Sequence, residues 1–200
     1  MRRLLPLVFA LLTPGLAWAG DLVVSVRTAA GKPVADAVVF LPDVKSGPTR
    51  LAGPYRMAQH DLQFDPFVLV APVGAEVAFP NLDRVRHHVY SFSPAHPFEL
   101  KLYGRDESRK VRFDKPGVIA LGCNIHDSMV AFILVVDTPY AAKTDASGVA
   151  VIHDAPAGEL TVRLWHPYLR APGNTVTGRG AGRIVFTADL RAPPERKSLY

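Results

Sequence analysis

Gly117-Val118-Ile119-Ala120-Leu121-Gly122-Cys123-Asn124-Ile125-His126-Asp127-Ser128-Met129 leads directly into Val130-Ala131-Phe132-Ile133-Leu134-Val135-Val136. Two near-continuous apolar runs flank a short polar turn, the pattern of two strands covered on both faces. Outward from this stretch, shorter runs alternate between Gly, Pro and Asp punctuation. Upstream they are Phe67 to Ala71, Ala75 to Phe79, His87 to Phe92 and Phe98-Leu100-Leu102. Leu22-Val24-Val26 and Ala37-Val39-Leu41 precede them, the second after a Gly31-Lys32-Pro33 turn. Val149 to Ile152, Leu160 to Trp165 and Ile184 to Ala188 follow. No helix is expected after the first residues, so the fold class is all-β, a sandwich or barrel. The strands outnumber those of one small sandwich, and a division is expected.

The start of the chain reads as an export signal. Arg2 and Arg3 precede the apolar run Leu4 to Leu12, and Ala17-Trp18-Ala19 supplies small residues for cleavage near Gly20. The run is too short to span a bilayer, and Pro6 and Pro14 interrupt it. No later segment reads as a membrane span. A periplasmic location follows as an expectation. Removing Arg2 and Arg3 lowers the formal charge from +5 to +3. Apart from Arg105 to Arg112, the basic residues are scattered among Asp and Glu, a solvated surface and no footprint for nucleic acid. The single cysteine, Cys123, would meet an oxidising compartment. There a lone thiol pairs with another molecule, stays buried and inert, or is held by a metal.

The neighbours of Cys123 favour a metal. A thiolate, an imidazole three residues on (His126) and a thioether three further (Met129) can converge on one ion if a tight loop joins two strands. A second imidazole must come from a neighbouring strand. The source is Asn81-Leu82-Asp83-Arg84-Val85-Arg86-His87-His88-Val89. Successive strand residues face opposite sides, so only one of His87 and His88 can join. Alternation alone leaves the choice open. Two His and one Cys with a weak axial Met suit copper, since soft sulfur ligands disfavour hard cations and zinc seldom recruits a thioether. Taken singly, each residue has a plain structural reading: an inert core thiol, a sheet histidine, a packing methionine.

With these motifs the segment resembles the cupredoxins of the amicyanin and plastocyanin type. The likeness includes Gly74-x-Glu76-Val77-x-Phe79-x-Asn81, His87-x-Val89, Gly117 ahead of Cys123, and Cys123-x-x-His126-x-x-Met129, the short amicyanin spacing. The resemblance implies one type 1 copper ion held by His87, Cys123, His126 and axial Met129. It puts Asn81, His88 and Asp127 around those ligands, with His88 where the family often has an Asn that ties the two ligand loops together. Ile119 and Leu121 stand where the family usually has aromatics, and Ile125 and Asp127 replace a common Pro. These departures bear on potential and rigidity more than on the metal.

The chain ends carry a second resemblance. Gly31-Lys32-Pro33-Val34-Ala35-Asp36-Ala37-Val38-Val39 is similar to the opening of carboxypeptidase-regulatory-like (transthyretin-like) domains. The matching continuation comes only at Thr144-Asp145-Ala146-Ser147-Gly148 and Ala155-Pro156-Ala157-Gly158. About 80 residues intervene, small-domain size. The expected layout is a leader over 1–19, a discontinuous outer β-sandwich over 20–55 plus 138–200, and a cupredoxin-like Greek-key sandwich inserted over 56–137. Proteins of this combined layout often carry the label methylamine utilisation, which implies a setting and no substrate.

A trigonal His2Cys site leaves no equatorial position for a substrate, so single-electron transfer is the expected role and an enzyme is not. Asn124 follows Cys123, where copper enzymes that couple two sites use an adjacent His. A dinuclear centre needs two bridging cysteines. The resemblance implies a redox partner such as a cytochrome c or a dehydrogenase. Copper storage or delivery, and a metal-free scaffold or adhesion role, are the alternatives, and visible colour on copper loading separates them from the electron carrier.

Overall fold

The alternation of buried and exposed side chains carries through into the strands of the computed structural model, which describes residues 20–47 and 51–193. The expected leader, residues 1–19, lies outside the described residues. β1 (Gly20–Arg27) and β2 (Val38–Phe40) come first, then the short strands β3 (Tyr55–Arg56), β4 (Ala58–His60) and β5 (Gln63–Asp65). The middle of the chain forms β6 (Val68–Pro72), β7 (Ala75–Pro80), β8 (His87–Ser91), β9 (Phe98–Tyr103), β10 (Ser108–Phe113), β11 (Gly117–Cys123) and β12 (Val130–Val136). β13 (Ala141–Lys143), β14 (Val149–Ala155), β15 (Leu160–Trp165), β16 (Thr175–Gly180) and β17 (Arg183–Thr187) complete the order. The fold class is all-β, as expected; among the described residues the one helical element is a 3-10 turn over Pro172–Asn174.

Strands from the middle pair with one another. A five-stranded sheet runs β6-β12-β11-β8-β9, and a three-stranded sheet runs β10-β7-β3. β4 and β5 form a separate hairpin. The inward residues of the two larger sheets, including Val77, Phe79, Val89, Phe113, Ile119, Leu121 and Ile133, meet in one buried cluster that also holds Cys123 and Met129. Strands from the two ends of the chain form the sheets β14-β1-β17 and β13-β2-β15-β16, closed over a second cluster that includes Val24, Val39, Ile152 and Leu164. A third, smaller cluster lies where the two groups meet: Val38, Ala141 and Trp165 against Val68, Leu134 and Val136. That contact explains the unbroken apolar run of β12, because both its faces are covered.

Several strands were not legible beforehand. β10 is Ser-Arg-Lys-Val-Arg-Phe, whose exposed positions are Ser108 and the cations Arg109, Lys110 and Arg112, and whose first buried side chain is Phe113. It is an edge strand on β7, and edge strands carry charge on the side that faces water. Charge that reads locally as loop is here the outer face of a strand. β16, Thr-Val-Thr-Gly-Arg-Gly, is likewise an edge, on β15.

Candidate metal centre

The pleat of β8 decides which histidine faces the core. His87, Val89 and Ser91 are buried, while His88 and Tyr90 are half-buried on the other face. Cys123 ends β11 opposite Val89 in the antiparallel β8–β11 pair, so His87 and Cys123 reach the same end of the cluster. The chain then turns at once. The Asn124 amide donates to the His88 carbonyl at 3.1 Å, and the Met129 amide donates to the His126 carbonyl at 3.0 Å. This closure folds His126 back over Cys123.

Three donor atoms converge there. Cys123 Sγ lies 3.8 Å from His87 Nδ1 and 3.7 Å from His126 Nδ1. All three ligand atoms lie within 4.8 Å of one another, and no other such group of three His, Cys, Asp or Glu occurs among the described residues. His87 is fully buried, Cys123 nearly so, and His126 half-buried. The spacing fits a single transition-metal ion, and a thiolate with two imidazoles suits copper in type. With metal–nitrogen and metal–sulfur bonds of about 2.0–2.3 Å, a shared trigonal or tetrahedral ion separates N from S by about 3.6–3.8 Å.

Hydrogen bonding sets the tautomer of His87. Its Nε2 lies 2.8 Å from Asp83 Oδ2, so Nε2–H donates to the carboxylate and Nδ1 is turned towards Cys123. Burial raises the Asp83 carboxyl, but His87 and the amides of Leu62 and Asp61 outweigh it and hold the group below its ordinary value. Burial pulls His87 down, while Cys123 and Asp83 pull harder and leave its imidazole above the usual histidine value. Burial pushes the Cys123 thiol up; the His87 imidazole, the backbone amides of His88 and Ile125, and His126 together bring it down to about 6. Without metal, the site therefore favours a thiolate at Cys123 beside the His87 ring.

The other expected residues lie at different distances from this core: Met129 and Asn81 are buried near it, while the His88 ring and Asp127 point away. Met129 is buried in the same cluster as Cys123, at the end of the ligand loop. Asn81 is fully buried; its side-chain amide donates to the carbonyls of Val85 and Tyr103 and its oxygen accepts the Asp83 amide, which pins the segment before His87. The His88 ring turns away, with Nε2 2.8 Å from Glu99 Oε1 on β9, and its main-chain carbonyl makes the tie to Asn124. Asp127 is exposed on the loop. Asp83 was missed by the sequence reading. The only signal for it was its position four residues before His87, a spacing that in an irregular segment does not place the two side chains together.

No family model matches the chain, and no curated protein matches it. Solved structures do. A purple cupredoxin from Nitrosopumilus maritimus is 20% identical, over 42% of this chain and 100% of that one, with a TM-score of 0.38. A reduced amicyanin variant is 18% identical, over 49% of this chain and 98% of that one, at 0.39. A copper-containing nitrite reductase from Thermus scotoductus is 26% identical, over 56% of this chain and 28% of that one, at 0.40.

Proposed function

We propose that the chain is an exported type 1 copper protein that carries single electrons between redox partners and catalyses no reaction of its own. The observation that carries this reading is the convergence of Cys123 Sγ with the Nδ1 atoms of His87 and His126 at one buried position. In this reading His87, Cys123 and His126 would hold the ion, and the buried Met129 would offer its thioether as a further, weak donor. Bound copper would supply a one-electron couple there. The chain's part is to keep the donors still. The Asn124–His88 tie and the Asn81 contacts hold both ligand segments whether or not the metal changes charge, which suits electron transfer with little rearrangement.

The leader-like residues 1–19 support export to the periplasm, and a cytochrome c or a dehydrogenase is the class of partner. The separate clusters support a copper domain over 56–137 inserted in a carboxypeptidase-regulatory-like sandwich. The test is copper loading of the full chain with visible absorption. An intense thiolate-to-copper band that disappears in Cys123→Ser supports the electron carrier. A weakly coloured protein that still binds copper supports storage or delivery instead, and no binding leaves a scaffold.

A further inference from the structure

The hairpin of β4 and β5 places an unusual turn beside the metal centre. His60 pairs with Gln63, so the loop is the two residues Asp61 and Leu62. Both are left-handed, with φ of 52° and 56°. Two-residue hairpin loops of this type favour Asn-Gly, because glycine takes positive φ without strain. Leucine at the second position is locally disfavoured, and it is also 42% exposed, so burial does not hold it there. Something else must stabilise the turn.

The partner is Asp83. The Asp61 amide donates to Asp83 Oδ1 at 2.7 Å, and the Leu62 amide donates to Oδ2 at 3.1 Å. Successive main-chain N–H groups in a turn form a small anion-binding concavity, and here it is filled by one carboxylate. Oδ2 also accepts the Nε2–H of His87 at 2.8 Å, and the Asp83 side chain is 11% exposed. Three donors from two separate segments thus share one carboxylate.

We propose that the Asp61-Leu62 turn is a clamp that fixes Asp83, and that Asp83 is in turn the positioning residue for His87. The clamp rests on the reading of His87 as a metal ligand. A carboxylate behind a ligand imidazole fixes ring orientation and raises the basicity of the other nitrogen, typically worth about 10–100-fold in metal affinity. Basicity and negative charge favour the oxidised ion, so an exposed turn about twenty residues away in sequence contributes to the reduction potential.

The experiment uses the full chain, metal-free and copper-loaded, as wild type, Asp83→Asn and Leu62→Gly. In the metal-free wild type, NMR should show the Asp61 and Leu62 amides and the His87 Nε2–H protected from exchange, although the turn is exposed. Rapid exchange of these protons in the wild type overturns the clamp, and this measurement needs no variant to fold. Asn offers one acceptor oxygen for three donors, so Asp83→Asn should lose the protection. It should also weaken the oxidised relative to the reduced ion about tenfold, which raises a one-electron potential by about 59 mV. Leu62→Gly keeps both amides and relieves the backbone, so protection and potential should stay as in wild type. A purely structural role would lower the stability of Asp83→Asn and leave its potential alone, which overturns the positioning role. Should copper give no intense band, the electron-carrier reading fails while the metal-free exchange data still decide the clamp.

Discussion

His87→Ala and His88→Ala should behave oppositely, although the two residues are adjacent. His87 is fully buried, and its ring bridges Asp83 at 2.8 Å and Cys123 at 3.8 Å. Truncation leaves a void on the order of 60 Å³, worth about 1.5 kcal/mol at about 24 cal/mol per Å³. It also removes a hydrogen bond to a charged group, worth about 1.5–3 kcal/mol. The metal-free protein should lose about 3–4.5 kcal/mol. That is within a typical total of about 5–15 kcal/mol, so a folded population remains for assay. His88 is half-buried and meets Glu99, whose side chain is 56% exposed; a surface pair of this kind contributes about 0–1 kcal/mol. Urea unfolding of both metal-free variants measures these differences, and visible absorption after copper loading measures the site. His87→Ala should lose the intense band and His88→Ala should keep it. An intense band in His87→Ala, or its loss in His88→Ala at unchanged stability, refutes the ligand register.

Met129→Leu should retain copper and colour with an upward shift in potential, read by voltammetry, because a donor to the oxidised ion is lost; an unchanged potential removes Met129 from the site. Cys123 in the metal-free protein should titrate near pH 6, followed as thiolate absorbance in the ultraviolet. Since that value lies below the 9.0 of an ordinary thiol, the stabilisation it brings is fully present above pH 9.0 and is lost as the pH falls through about 6. A midpoint at or above the ordinary value refutes the stabilised thiolate. Residues 56–137 expressed alone should bind one copper and unfold cooperatively, with lowered solubility because Val68, Leu134 and Val136 lose their cover; a fragment that is ordered only after residues 20–55 are added refutes the insertion.

Side-chain period and ligand chemistry are local properties, and the residues by themselves determined both. Alternation located β1, β7, β8, β9 and β15, and the continuous apolar runs located β11 and β12, because a strand writes its burial into every second residue. The soft donor at Cys123 and the imidazole three residues on already point to a transition-metal site. Charge hid β10, since an edge strand shows water the same side chains that a loop does. Convergence belongs to the tertiary structure alone. Alternation left His87 and His88 open and the resemblance pointed to His87; the pairing of Val89 with Cys123 sets which face of β8 meets the core. The bond from Asp83 to the Asp61-Leu62 turn spans more than twenty positions and follows from hairpin placement, for which no local pattern exists. Sequence period reports which face a residue takes, whereas contact between distant segments is decided only when the sheets are ordered and their registers set.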